Sequence, residues 1–202
     1  MIAKGTGFVK GNPVAAQGRL VAHLKYVEHR SKTENESRDD RRIFTKDEDL
    51  VARSAAVQDV MDHANTQVAY HQIVLSPGEA EHIADWREWT RGVMDDLEKK
   101  QGRELHWYAV SYNNTDNPHV HVVLAGAGNN RINGNREAVK MDRCDYALLR
   151  QSGTDRSDRD WYRQIEEQVK EEDRRDREEI VRHPEPEPEK QPEHYQGGNH
   201  DR

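Results

Sequence analysis

The chain has 202 residues, enough for one domain of ordinary size with some to spare. Only 33% of them are hydrophobic and 34% are charged, with a net charge of -7, which excludes a uniformly apolar or uniformly basic protein. The acidic excess lies beyond Gly153, so the nearly balanced first three-quarters is where a packed core is expected. A single cysteine, Cys144, excludes an internal disulfide and fits a reducing compartment. No apolar run approaches the ~20 residues of a membrane span, and the opening residues lack the apolar stretch of a signal peptide. These features predict a soluble, cytoplasmic protein with no membrane insertion.

Residues 2–10 read as a first strand. Asn12 and Pro13 form a helix start, with a capping side chain ahead of a first-turn proline, and the helix is expected to run to about residue 30. Leu20, Leu24 and Val27 share one face of it at i, i+4, i+7, with Tyr26 beside that stripe. After a charged loop over 31–42, Thr45 and Glu48 have capping-box spacing for a second helix ending near residue 64, with Val57, Val60 and Met61 inward. Residues 68–77 read as a strand stopped by Ser76-Pro77. A long helix over 79–100 turns Ile83, Trp86, Val93 and Leu97 inward and stops at Gly102. Strands over 105–113 and 118–125 flank a turn rich in Asn and Asp, and 126–135 reads as a loop. A last core helix carries Tyr146, Leu148 and Leu149. The chain thus divides into a domain over 1–153, a charged helical extension over 154–183 and a disordered tail over 184–202.

The strongest chemical signal is Pro118-His119-Val120-His121. Alternate strand residues face the same way, so His119 and His121 project together, and two adjacent imidazoles are half of a metal site. A polar, solvent-facing pair is the plain alternative. If the turn places Tyr112 opposite His119, then Val110 lies opposite His121 and all four share a face. His106 has the same parity but is roughly 20 Å away along the strand, too far to share an ion with His119.

Residues 111–123, SYNNTDNPHVHVV, closely resemble the histidine motif of plasmid-mobilisation relaxases, which are tyrosine HUH endonucleases. GRLVAHLKYVEH over 18–29 resembles the motif that carries their nucleophilic tyrosine. YHQIVLSPGE over 70–79 and MDRCDYALLR over 141–150 are also similar to that family, in the same order. The resemblance covers about residues 1–150 and implies an α+β relaxase nuclease domain over 1–153. It implies a central antiparallel sheet, with helices mainly on one face and metal and DNA on the other.

The resemblance makes Tyr26 the catalytic nucleophile, and His119 and His121 ligands of a divalent ion, manganese or magnesium. Its substrate would be single-stranded DNA at a plasmid transfer origin, nicked and rejoined through a 5′-phosphotyrosine to start conjugative mobilisation. Accessory relaxosome proteins and a coupling protein would be partners. A rolling-circle replication initiator would use the same chemistry, and a catalytically impaired relative would bind DNA without turnover. Two departures matter: Tyr112 stands where the family generally has a third histidine, and Asn114 where it often has aspartate. Tyr112, a water or His71 on the neighbouring strand would then complete the metal site.

Phenols ionise near pH ~10 in water, so a tyrosine nucleophile has to pass its proton to a base or act in the field of a cation. A tyrosine beside an apolar stripe is more often a packing residue. Tyr70, Tyr108, Tyr146 and Tyr162 lack motif context, whereas Tyr112 is a rival nucleophile beside the histidines. Arg30, Lys32, Arg38, Arg41 and Arg42 are candidate phosphate contacts in a loop of mixed charge. Trp86, Trp89 and Trp107 are candidate base-stacking residues, although such tryptophans are more often core.

Overall fold

The structure is a computed structural model, and it describes residues 1–10, 13–29, 41–113 and 117–182. The expected tail over 184–202, Asn114 and the basic positions Arg30, Lys32 and Arg38 lie outside the described residues. The chain forms two compact units, Met1–Arg163 and Gln164–Arg202. In the second, Arg174 pairs with Glu171 and Glu178 at i,i+3 and i,i+4 spacing, which suits a solvated helix.

The first unit is built on a four-stranded sheet of order β1-β2-β5-β4, from β1 (Ile2–Val9), β2 (Tyr70–Ser76), β4 (Trp107–Tyr112) and β5 (His119–Ala125). Every pair is antiparallel. Two helices, α1 (Pro13–His29) and α2 (Arg53–Asp62), lie between β1 and β2, and α3 (Trp86–Gln101) lies between β2 and β4. A fourth, α4 (Arg143–Arg182), follows the sheet. The fold is mixed α+β.

Helices cover both sheet faces, which corrects the expectation that they lie mainly on one. Ile73, Leu75, Trp107, Val122 and Leu124 face α3, through Val93, Met94 and Leu97, and the start of α4, through Leu149. On the reverse face Tyr70, Val110, Tyr112 and Val123 pack with Ala16, Leu20, Leu24 and Val27 of α1 and with Val57 and Val60 of α2. The expected α1 stripe is therefore its buried side. Each such leucine contributes roughly 1.5–3 kcal/mol of burial, which holds α1 against this face.

Several boundaries differ from expectation for identifiable reasons. The second helix begins at Arg53 rather than near Thr45. Phe44 pairs with the outer edge of β4 at Ala109, and the Thr45 hydroxyl donates to the Trp107 carbonyl at 2.7 Å, so this segment is held by the sheet. Residues Ala80–His82 form one 3-10 turn, and α3 starts later because the Asp85 carboxylate accepts from the Arg87 and Glu88 amides. Gly102 ends α3 as expected, with a left-handed φ of 63°.

The segment read as a loop contains β6 (Ala127–Asn130) and is followed directly by β7 (Arg136–Ala138); with β3 (Arg103–Glu104) they make a second sheet of order β3-β6-β7. Its turn into β6 passes Gly126, where a Cβ would lie 1.7 Å from the Val68 carbonyl oxygen. The helix also continues through Gly153. There the Trp89 indole donates to the Gly153 carbonyl at 3.0 Å, and an added Cβ would meet the Trp89 ring at 2.9 Å. This glycine is a packing contact rather than a helix stop. Cys144 is an exposed free thiol. Among the described residues no helix is long and apolar enough to cross a membrane.

Candidate nuclease site and a second histidine cluster

The β4–β5 register is the one expected from the motif: Tyr112 pairs with His119 and Val110 with His121. Directly opposed residues share a face, so Tyr112, His119, Val110 and His121 all lie on the side covered by α1 and α2. There the His119 Nδ1 lies 2.7 Å from the Asn117 carbonyl. A carbonyl only accepts, so in the neutral ring Nδ1 carries the proton and Nε2 offers its lone pair. That Nε2 lies 3.2 Å from the Nε2 of His121.

Two imidazole nitrogens at this separation share a proton or flank a cation, because two bare lone pairs repel. A ligating histidine ordinarily donates its other ring N–H to a carbonyl, as His119 does here. The pair therefore fits two positions around one divalent ion. Among the described residues it has no third His, Cys, Asp or Glu ligand atom within 4.8 Å of both nitrogens. Remaining positions would fall to water or to a phosphate oxygen.

Tyr112 is 2% exposed, and its hydroxyl donates to the Val27 carbonyl on α1. Val27 is in the last turn of that helix, where carbonyls lack partners within the helix. The Tyr112 ring lies parallel to His119, with centroids 5.0 Å apart, and edge-on to His121 at 5.4 Å. Its phenolic proton is thus used to dock α1. His71 does not complete the pair either: it is paired with Leu124 in the opposite-facing set, and its Nε2 donates to the Val139 carbonyl at 3.0 Å.

Two further side chains belong to this end of the face. The His23 ring, on α1, lies edge-on to His121 with centroids 6.0 Å apart, and burial pushes its pKa down, favouring the neutral ring. Arg41 is 4% exposed, with its guanidinium 4.7 Å from the centre of the Tyr112 ring. It braces that ring by a cation–π contact and is not presented to solvent as a phosphate contact.

Tyr26 is 54% exposed. It lies between His23, which touches His121, and Val27, which accepts from Tyr112, so its helical turn is docked at the histidine end of the hairpin. The signal for His23 was present in the sequence, since His23 and Tyr26 are i,i+3 neighbours on one helix. Lys4, exposed on β1, shares a cross-sheet row with Val74 and His121. Trp89 and Trp107 are buried with the opposite-face core and Trp86 packs against it, so none is offered here for base stacking.

The other end of the same face holds a second cluster. Asp59 on α2, His63 at its C-terminal cap and His106 just before β4 bring three ligand atoms within 4.8 Å of one another, an arrangement that could hold a metal ion. The Asp59 carboxylate lies 3.2 Å from Nδ1 of each histidine. Tyr108 donates to the same carboxylate at 2.9 Å, and burial pushes its phenol pKa upward, so it stays a donor. Sequence reading missed this cluster, although Asp59-x-x-x-His63 has i,i+4 spacing. No family model matches the chain, and no curated protein does.

Proposed function

We propose that this chain is the nuclease domain of a DNA relaxase of the tyrosine HUH type, which nicks one strand at a plasmid transfer origin and remains joined to it. The observation that carries this reading is the His119–His121 pair, Nε2 to Nε2 at 3.2 Å, with the turn of α1 bearing Tyr26 docked beside it through His23 and the Tyr112–Val27 bond. A divalent ion held by those imidazoles, manganese or magnesium, would polarise the scissile phosphate.

The remaining steps belong to the chain's own groups. The Tyr26 oxygen attacks phosphorus, the bond to the 3′ oxygen breaks, and a 5′-phosphotyrosine and a 3′ hydroxyl result. His23, one turn earlier and favoured as the neutral ring by burial, is the candidate acceptor for the phenolic proton. The proton then returns to the leaving 3′ oxygen, so the step balances without a co-reactant. Lys4 stands about two strand widths, ~10 Å, from His121 and offers a positive neighbour to the backbone phosphates. A 5′-phosphotyrosine retains a reactive phosphodiester, so attack by a 3′ hydroxyl reseals the strand. Recruitment by accessory relaxosome proteins and a coupling protein belongs to the same proposal.

A second reading has its own support. The Tyr112 hydroxyl is engaged by Val27 where relaxases generally supply a third ligand, which favours a relative that binds single-stranded DNA and turns it over slowly or not at all. The discriminating experiment incubates the full chain with single-stranded origin DNA and manganese. A covalent adduct absent in Tyr26→Phe and reduced ~10²–10³-fold or more in the His119→Ala, His121→Ala double variant supports the relaxase. Tight binding without adduct supports the second reading. An adduct that survives Tyr26→Phe and disappears in Tyr112→Phe rejects Tyr26 as nucleophile.

A further inference from the structure

We infer that Asp59, His63 and His106 form a binding site for a borderline divalent transition ion such as zinc, which clamps the C-terminal end of α2 to the start of β4. The site is separate from the His119–His121 pair: His106 and His119 lie at opposite ends of the hairpin, roughly 20 Å apart along the strand.

Ligand chemistry comes first. Two imidazoles and a carboxylate make a mixed nitrogen and oxygen set, which suits zinc, cobalt or nickel better than magnesium. Asp59 and His63 are one helical turn apart and so project together, while His106 approaches from a different segment. Ligand atoms ~2.0–2.2 Å from one tetrahedral ion stand roughly 3.3–3.6 Å from each other. Oδ1 of the Asp59 carboxylate lies 3.2 Å from the His63 Nδ1 and Oδ2 lies 3.2 Å from the His106 Nδ1; the His63 Nδ1 is also 2.9 Å from the Asp59 main-chain carbonyl, and the two imidazole rings are stacked with centroids 3.4 Å apart and planes 12° from parallel. The in-plane lone pairs of stacked rings do not converge, so taking up one ion requires the two imidazoles to rotate out of the stack about the Asp59 carboxylate.

The surroundings are also those of a ligand cluster. The Tyr108 hydroxyl fixes the carboxylate from outside, the support that metal-bound carboxylates usually receive. His63 is held in place by the fold, since its own carbonyl accepts from the Ala127 amide at 2.8 Å. Among the described residues the Nε2 of His106 is buried without a hydrogen-bond partner, and its Nδ1 edge faces the cluster. The three side chains are 20%, 21% and 32% exposed, which leaves an ion a path from solvent.

The test strips the full chain with a chelator and titrates it with cobalt(II), then zinc, following cobalt visible absorption and the melting temperature. One ion is expected to give a tetrahedral cobalt spectrum, be displaced by zinc and raise Tm. The spectrum and the Tm rise should vanish in His106→Gln and His63→Gln and persist in the His119→Ala, His121→Ala double variant. Tyr108→Phe should retain the spectrum with ~10–100-fold weaker affinity. His63 sits at a half-buried helix end, so its variant tests the site even if His106→Gln folds poorly. An ion that binds equally well to His63→Gln, or one lost only in the His119, His121 double variant, overturns the inference, as does the absence of binding. None of these outcomes depends on DNA nicking.

Discussion

The two ends of one sheet face carry histidines under different constraints. At the hairpin end, His119 and His121 are half-buried, their nitrogens face each other, and the last turn of the helix alongside accepts the Tyr112 hydroxyl. At the far end, Asp59, His63 and His106 are enclosed by a network that also includes Tyr108, and the backbone around them is closed by the bonds from Gly126 to Ala69 and from Ala127 to His63. One end turns two imidazole nitrogens toward each other and the other links α2 to the start of β4. Residue type alone does not separate these roles; what the second nitrogen and the neighbouring carbonyls are doing does.

The largest stability effect should come from breaking the far end. Gly126→Ala places a methyl 1.7 Å from the Val68 oxygen, a backbone atom that cannot move without shifting the strand junction. A loss of about 3 kcal/mol is expected, at the upper range of overpacking penalties. Urea denaturation would measure it, and a loss below about 1 kcal/mol would mean that the junction yields and the far end is not the rigid one.

An intermediate effect sharpens the hairpin end. Tyr112→Phe keeps the ring against His119 but leaves the Val27 carbonyl unpaired at the end of α1, costing about 1–3 kcal/mol. Tyr112→His sacrifices the same bond while adding a third imidazole beside the pair. If the hairpin end is a metal site lacking one ligand, that variant should be less stable than the parent and yet bind manganese about tenfold more tightly, ~1.4 kcal/mol. Calorimetric titration would decide it; equal or weaker binding would count against a cation between His119 and His121.

Much of the hairpin end was legible because local rules govern it. Period-two alternation and a tight turn fixed which residues oppose Tyr112 and His119, and the stripe of Leu20, Leu24 and Val27 fixed which side of α1 is buried. The far end was illegible for a complementary reason. His106 meets Asp59 only because α2 packs beneath the sheet, and no local pattern around His106 announces that contact. The second sheet was hidden because β6 is Gly- and Asn-rich and β3 and β7 are only two and three residues long, so none has an apolar alternation to read. The start of α2 was misplaced because the edge of β4 claimed Thr45. At Gly153 a residue that ordinarily stops helices sits within the helix, packed against the Met1 thioether and the Trp89 ring.

The smallest effect separates this face from the one behind it. Burial depresses the pKa of His71, whose Nε2–H donates to the Val139 carbonyl. An unfolded chain takes up that proton near pH ~6.5, the ordinary histidine value, whereas the folded ring resists until lower pH. Across that interval the unfolded state binds more protons, so stability declines as pH falls below ~6.5 and levels off once the folded ring is protonated too. Above ~6.5 His71 imposes no such penalty. His71→Gln can still donate to Val139 but cannot titrate, so the drop in Tm between about pH 7.5 and about pH 5 should be smaller than in the parent. An unchanged drop would show that His71 is not a source of the acid sensitivity. What persists in the variant includes the penalties at His23 and His106, both also depressed by burial, one at each end of the face, and their single variants then apportion acid loss between the two clusters.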